Sequence, residues 1–199
     1  MQDATTVERI RQKFRALRPM MDEATLFVLA ADVPTSPADA SKDNFKKNTL
    51  SIVLRITLGD VNVVLTADAT FDTEDVIRSR YTQANSMALV SEVLKLGHHG
   101  SRVTSTSAEW AEAVHPRTAI ANASATKYGH PAKEVLERIS LHTADDDPPH
   151  TVKWGVSLGE NHFRYDTLSG VQESIYTTAS NGTVVVETDG HAYCVVREK

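Results

Sequence analysis

The sequence lacks most of the features that would place the chain outside ordinary globular proteins. Among 199 residues there is a single cysteine, Cys194, so no disulfide can form within the chain. Cys194 lies in a strand-like run, and we expect it to be buried as a small apolar side chain. No run of about 18 apolar residues occurs, and the first residues have no apolar core of the signal-peptide type. We therefore expect a cytoplasmic protein without a membrane segment.

The chain also lacks an excess of positive charge. Lysine and arginine number 21 against 26 acidic residues, which gives a formal net charge of −5. Such a chain has no global positive field to attract nucleic acid, so any polyanion must bind at a local site or through a metal. Hydrophobic residues make up 41% and charged residues 24% of the sequence, which is typical of one soluble domain.

Hydrophobic periodicity and turn residues predict hairpins first, then alternating strands and helices, and a meander at the end. That order predicts an α/β fold with a mixed sheet inside and helices outside, resembling half of an α/β sandwich. The strands are predicted at 24–31, 50–57, 61–66, 93–96 and 118–122, and the helices at 5–17, 73–81, 106–114 and 131–139. A polar loop is predicted at 33–47, an irregular insertion at 141–172 and a three-stranded meander at 174–196.

Three turns carry residue types that are suited to metal or acid–base chemistry. Asp68 directly follows an apolar strand, and His98 and His99 follow the next predicted strand between two glycines. His130 lies in the turn Tyr-Gly-His-Pro before a helix. Side chains at the carboxyl ends of strands in α/β proteins meet at the edge where ligands bind, and imidazole with carboxylate suits zinc or manganese.

Structural explanations compete with these functional ones. An aspartate after a strand is often a turn or N-cap residue, and His130 could cap the helix that follows it. The adjacent histidines are harder to explain structurally, because a loop needs neither their bulk nor their titration. His115, His142, His150, His162 and His191 have no convergent context, and we interpret them as surface or structural residues.

The order of these turns resembles the metallo-β-lactamase superfamily, and within it the C-terminal domain of the DNA-uptake protein ComEC and its stand-alone relatives. The matching strings are NTLSIVLRITLGDVNVVLTADA, EVLKLGHHGSRVTSTSAEWAEAVHPRTAIANAS, KYGHPAKEVLERI and IYTTASNGTVVVETDG. They cover residues 48–139 and 175–190. The pair GHHGS and YGHP behind a strand–Asp turn is specific to this group.

The resemblance implies a role for each matching residue. Asp68 would be the carboxylate that bridges two divalent metal ions, zinc or manganese, and His98 a metal ligand. His99 and Ser101 would either lie behind the metal ligands or contact the substrate, and His130 would line the pocket and contact a phosphate. In such an enzyme a metal-held hydroxide attacks a phosphorus or carbonyl centre. Asp68, His98 and His130 are therefore the expected catalytic residues.

Two positions depart from the pattern of the superfamily. The usual turn is Thr-Gly-Asp-Ala, whereas this chain has Ala67 in place of the glycine, an exchange that is tolerated if φ stays negative. More seriously, the motif H-x-H-x-D-H of the first half is absent, and no histidine precedes His98. Asp68 and His98 give two ligands, or three with His130, and a stable zinc site uses three or four. We expect residues 1–199 to form one domain that lacks the usual N-terminal half. Such a domain should bind metal weakly or not at all when isolated.

Three hypotheses remain open at this point. The chain is part of a metal-dependent phosphodiester hydrolase whose other half lies on another polypeptide, or a degenerate homologue that serves as a binding module, or an α/β domain whose histidines are remnants. In the first two cases nucleic acid is a candidate partner. A half-sandwich leaves apolar surface exposed, which predicts a second chain or a homo-oligomer.

Overall fold

A computed structural model of the chain describes residues 24–34, 43–81, 89–124, 126–159 and 162–198. The helix that we predict at 5–17 lies outside these ranges. The strands are β1 (Thr25–Ala30), β2 (Val53–Leu58), β3 (Val61–Leu65), β4 (Val93–Lys95), β5 (Thr118–Ala121), β6 (His150–Gly159), β7 (His162–Val171), β8 (Ile175–Thr177), β9 (Thr183–Thr188) and β10 (Tyr193–Glu198). The helices are α1 (Asp43–Thr49), α2 (Phe71–Arg80), α3 (Ala108–Val114), α4 (Lys133–Ile139) and α5 (Thr178–Asn181), and Gly97–Gly100 forms a 3₁₀ turn.

Six strands form one mixed sheet in the order β1-β2-β3-β4-β5-β8. β1, β2 and β3 pair antiparallel, whereas β3, β4, β5 and β8 run parallel. The parallel strands are short apolar runs because both of their faces are covered, and Val64, Leu94 and Ala119 are fully buried. The predicted α/β class with a mixed sheet is therefore confirmed.

Helices cover the sheet through the apolar positions that the sequence indicates. Val135 and Ile139 of α4 are fully buried, as their helical spacing predicts. Ser107 caps α3, since its hydroxyl accepts a hydrogen bond from the backbone N–H of Trp110 at 3.1 Å. The sequence offers Thr106 as another N-cap, since Thr106 and Glu109 fit a capping box, but this is wrong: the Thr106 hydroxyl has no hydrogen-bond partner within the described ranges.

A buried carboxylate joins α2 to the start of α3. Glu74 accepts hydrogen bonds from the backbone N–H groups of Thr106 and Ser107, the latter at 2.9 Å. Burial raises the pKa of Glu74 from 4.5 to about 7, although the two N–H donors lower it. Glu74 therefore satisfies two donors before α3 that would otherwise be buried without partners.

Several predicted elements differ from the structure. Part of the predicted loop at 33–47 is wrong, because Asp43–Thr49 forms α1 with Lys46 and Lys47 in its last turn, where a helix dipole favours cations. The segment 141–172 is not irregular, since β6 and β7 form a long antiparallel hairpin. Val152 and Trp154 alternate with polar neighbours as in a strand. The Asp, Pro, Gly and Asn residues around them, which are typical of turns, hide this pattern in the sequence.

The predicted meander is also only partly formed. β9 and β10 pair as a hairpin, but β8 leaves them to pair parallel with β5. The short helix α5 separates β8 from β9, and its Asn181 accepts a hydrogen bond from the backbone N–H of Thr177 at 3.0 Å. Cys194 lies in β10 as expected, but the prediction of burial is wrong because its side chain is exposed.

Among the described strands, β1 lies at the edge of the sheet and carries exposed apolar side chains on both faces. Leu26, Phe27 and Val28 are 59%, 49% and 58% exposed. Unpaired strand edges with apolar side chains are surfaces that another strand can add to. In the ranges that the structure describes, no helix is both long and apolar enough to span a bilayer.

Candidate functional site

The three turns that the sequence singles out follow three neighbouring parallel strands. Asp68 follows β3, His98 and His99 follow β4, and His130 lies in the turn between β5 and α4. Since β3, β4 and β5 are adjacent and parallel, these turns meet at the same edge of the sheet. The imidazole ring of His98 lies with its centroid 6.1 Å from that of His99 and 5.6 Å from that of His130.

Asp68 makes its direct contact with the second histidine of the pair. Its Oδ1 lies 3.4 Å from Nε2 of His99, and both side chains are about 40% exposed. On the other side of the ring, Nδ1 of His99 lies 2.6 Å from the carbonyl oxygen of Asn122, so this nitrogen carries the proton that it donates. The ring of His99 is thus held between β5 and the Asp68 turn, with Nε2 facing the carboxylate.

His98 is held by side chains that the sequence does not indicate. Its Nδ1 lies 2.8 Å from the hydroxyl of Thr104 and 3.3 Å from the amide nitrogen of Asn48 in α1. Burial lowers the pKa of His98, and the Asp68 carboxylate partly offsets that effect. His98 is therefore a neutral imidazole at pH 7 whose Nδ1 already has two polar neighbours.

A lysine balances the charge of the carboxylate. The ammonium group of Lys95 donates a hydrogen bond to the carbonyl oxygen of Ala67. Burial lowers the pKa of Lys95, and the nearby Asp68 carboxylate raises it. Because this cation offsets the charge of Asp68, the edge does not repel an anion as strongly as a lone carboxylate would.

The environment of His130 shifts its pKa strongly. Burial, followed by the neighbouring His98 and His99, lowers its pKa to about 4, so its imidazole is neutral over the physiological range. Its Nδ1 is buried with no hydrogen-bond partner of good geometry in the described part of the chain. It does not cap α4, since Ala132 holds the N-cap position. A histidine whose pKa is lowered this far by burial and by neighbouring titratable groups is a candidate for a binding site.

Backbone strain is concentrated in these turns. Of the seven described non-glycine residues with positive φ, four belong to them: Ala67, His98, His99 and Tyr128. Each such conformation costs about 1–2 kcal/mol for an L-residue. Strained residues persist only where the surrounding structure imposes them, and they cluster at functional sites.

The exchange of the usual glycine for Ala67 was expected to be tolerated only at a negative φ, and Ala67 does not have one. Its φ is +47°, in the left-handed region that favours glycine.

We expect Ala67→Gly to raise the free energy of unfolding by about 0.5–1 kcal/mol, because relief of strain exceeds the entropy cost of glycine. Urea denaturation measures this effect. In the helical control Ala113→Gly the sign should reverse, with a loss of about 1 kcal/mol, and equal losses in both variants would contradict the strained turn.

The described side chains do not complete a metal site. No three of the His, Cys, Asp and Glu side chains in the described ranges converge on one ion-sized gap. Asp68 lies against His99, and His98 is engaged by Thr104 and Asn48. Since zinc in proteins usually has three or four protein ligands, these residues do not fit a resident metal by themselves.

A cavity of about 370 Å³ adjoins the turns on the side of His130. Ser101, predicted to contact substrate, is buried and lines this cavity together with His130. The far wall is the β6–β7 hairpin, which lies in the segment that the sequence predicts to be an insertion. The only sequence signal for this wall is the alternation of aromatic residues at Phe163 and Tyr165 along β7.

Comparisons with known proteins give two curated relatives. The chain is 32% identical over 111 residues to ComE operon protein 3 of Bacillus subtilis (strain 168), and 35% identical over 104 residues to competence protein ComA of Neisseria gonorrhoeae. These matches cover 55% and 52% of this chain but only 13% and 14% of the relatives. No family model matches the chain, and no solved structure matches it. The comparisons relate the chain to ComEC-type competence proteins over about half of its length.

Proposed function

We propose that this chain binds the phosphodiester backbone of DNA at the edge formed by Asp68, His98, His99 and His130, as part of a competence process. The observation that carries the proposal is that one carboxylate and three imidazoles lie near one another on strained turns at adjacent strand ends. The name of one relative, a competence protein, is what connects this edge to DNA.

The chemistry of the edge suits a phosphodiester in spite of the net charge of −5. Imidazole N–H groups and the Lys95 ammonium donate hydrogen bonds, and phosphate oxygens only accept them. Because His98 and His130 stay neutral at pH 7, they bind through hydrogen bonds rather than through charge. The affinity is therefore moderate and depends on few ionic contacts.

A metallo-β-lactamase-type phosphodiester hydrolase, completed by a second polypeptide, is the second candidate. The exposed apolar edge of β1, with Leu26, Phe27 and Val28, favours it, because an added chain would cover that strand. The missing ligands of a divalent-metal site would then come from the partner or from a second copy. Catalysis would then depend on the added chain, since the described residues of this chain do not fit the metal by themselves.

The test measures binding of a fluorescein-labelled 20-nucleotide single-stranded DNA by anisotropy. We expect His130→Ala to weaken binding at least about 10-fold, because Nδ1 of its ring has no hydrogen-bond partner among the described residues and the variant loses one hydrogen bond to a charged group. His191→Ala is the matched control, because the side chain of His191 is 85% exposed and lies away from the edge. Equal affinities for wild type and both variants would refute binding at this edge.

Calorimetric titration with zinc and with manganese separates the two candidates. We expect binding weaker than micromolar in the isolated chain. Micromolar binding that is lost in both Asp68→Ala and His98→Ala would instead favour the hydrolase. Circular dichroism of each variant confirms that a loss reflects the site and not the fold.

A further inference from the structure

The cavity beside His130 has three walls from separate parts of the chain. Ser101 and Arg102 follow the Gly97–Gly100 turn, Tyr128 precedes His130, and Ser157 and Phe163 belong to the β6–β7 hairpin. Its volume of about 370 Å³ lies within the range of small-molecule sites. It opens next to the edge that we assign to the phosphodiester, so a ligand could occupy both.

The cavity is built into the fold because the hairpin is fastened to the His130 turn. The N–H of Gly129 donates to the hydroxyl of Tyr165 at 3.0 Å, and the N–H of Gly155 donates to the carbonyl oxygen of Pro131 at 2.8 Å. The Phe163 ring lies directly on Gly129, where a Cβ would come within 2.3 Å of it. These contacts hold the aromatic wall at a fixed distance from His130.

The lining has the chemistry of a nucleobase site. Tyr128 is 70% exposed and lines the cavity, with its ring centroid 6.3 Å from that of His130, so a base can stack on its exposed ring. Arg102 and Glu134 face each other there at 3.6 Å, with both side chains about half exposed. A carboxylate accepts hydrogen bonds from the exocyclic amino groups of bases, and a guanidinium stacks on bases or binds phosphate.

We propose that this cavity receives one nucleobase of a single strand, stacked on Tyr128 and hydrogen-bonded to Glu134, while its phosphodiester lies at the Asp68–His130 edge. The proposal rests on phosphodiester binding at that edge, and it names the ligand as single-stranded, since a base within a duplex must first be flipped out of the helix at an energetic cost. The Glu134 carboxylate gives the site a preference for bases with an amino group, such as cytosine, over thymine.

The test compares labelled 12-nucleotide strands of deoxycytidine, of thymidine and of abasic spacer by fluorescence anisotropy. We expect wild type to bind the cytosine strand most tightly and the abasic strand most weakly. Tyr128→Ala should lower the affinity for the cytosine strand about 5- to 100-fold, as loss of stacking on one base does. Its affinity for the abasic strand should equal that of wild type. Tyr128→Phe should keep the affinity, and Leu141→Ala, at a side chain 79% exposed outside the cavity, is the control. Glu134→Gln should reduce the preference for cytosine over thymine.

Each outcome separates this proposal from the one on which it rests. If wild type binds cytosine and abasic strands equally, or Tyr128→Ala binds like wild type, the base site is wrong while backbone binding stands. If cytidine monophosphate binds in a Tyr128-dependent way and the strands bind no better, the cavity takes a free nucleotide, and the strand proposal fails. If neither strands nor nucleotide bind at millimolar concentration, both proposals fail.

Discussion

Glu74→Ala is expected to lower the free energy of unfolding by about 4 kcal/mol at pH 5. The substitution leaves the backbone N–H groups of Thr106 and Ser107 buried without acceptors, and each such group costs about 1–3 kcal/mol. It also opens a cavity between α2 and α3, since Glu74 is 2% exposed. Urea denaturation followed by tryptophan fluorescence measures the loss, because Trp110 is buried in α3.

The loss should shrink as pH rises. In the folded chain the pKa of Glu74 is about 7, above its ordinary 4.5, so the folded state holds the proton more tightly than the unfolded state. Between these two values the unfolded state binds fewer protons, and wild type therefore loses stability with rising pH, by about 3 kcal/mol at most. Alanine does not titrate, so we expect a destabilisation of only about 1–2 kcal/mol at pH 8.

Asp75→Ala is the control for Glu74→Ala. Its carboxylate is the next in sequence, but it is 69% exposed and, within the described part of the chain, pairs with Arg78 on the same helix. We expect a change of less than about 0.5 kcal/mol at either pH. A loss at Glu74 that is equally small, or that grows with pH, would mean that the carboxylate does not bridge α2 to α3.

The turns of the candidate site were predictable because each follows a local pattern. Short apolar runs that end in Asp68 or in a Gly-His-His-Gly string indicate parallel strands, and the ends of neighbouring parallel strands must meet. These patterns place Asp68, His98 and His99 at one edge of the sheet, and His130 is added to them only by the resemblance to the metallo-β-lactamase superfamily. The sequence could not indicate which histidine contacts Asp68, since that depends on side-chain directions set by strained backbone at both histidines.

The contacts that hold the site come from segments whose sequence carries no matching signal. Asn48 reaches His98 from α1, a polar helix of seven residues within a stretch that resembles a loop. Glu74 looks like any acidic residue in the first turn of a helix. The β6–β7 hairpin lies behind an Asp- and Pro-rich stretch, and its place beside His130 depends on contacts between residues far apart in sequence.

The hairpin also gives the prediction with the clearest functional consequence, which is the substitution Gly155→Ala. A Cβ at this position would lie 2.4 Å from the Cα, carbonyl carbon and oxygen of Gly129, and backbone atoms cannot yield as a flexible side chain can. We expect the hairpin to separate from the His130 turn, with a loss of about 3 kcal/mol from overpacking and lost hydrogen bonds. Urea denaturation measures the loss.

Gly170→Ala distinguishes this clash from a general intolerance of the hairpin to alanine. Gly170 has a φ of +80° and no atom within 4 Å of the place that a Cβ would take, so alanine there meets strain but no neighbour, and we expect a cost of about 1–2 kcal/mol. The second measurement is an NMR titration of His130. Separation of the hairpin exposes this ring, so in Gly155→Ala its pKa should rise from about 4 toward the ordinary 6.5, whereas Gly170→Ala should leave it unchanged. The same movement takes Phe163 away from the cavity, so the affinity for single-stranded DNA should fall in Gly155→Ala and not in Gly170→Ala. An unchanged His130 pKa in Gly155→Ala would show that the hairpin does not hold the turn.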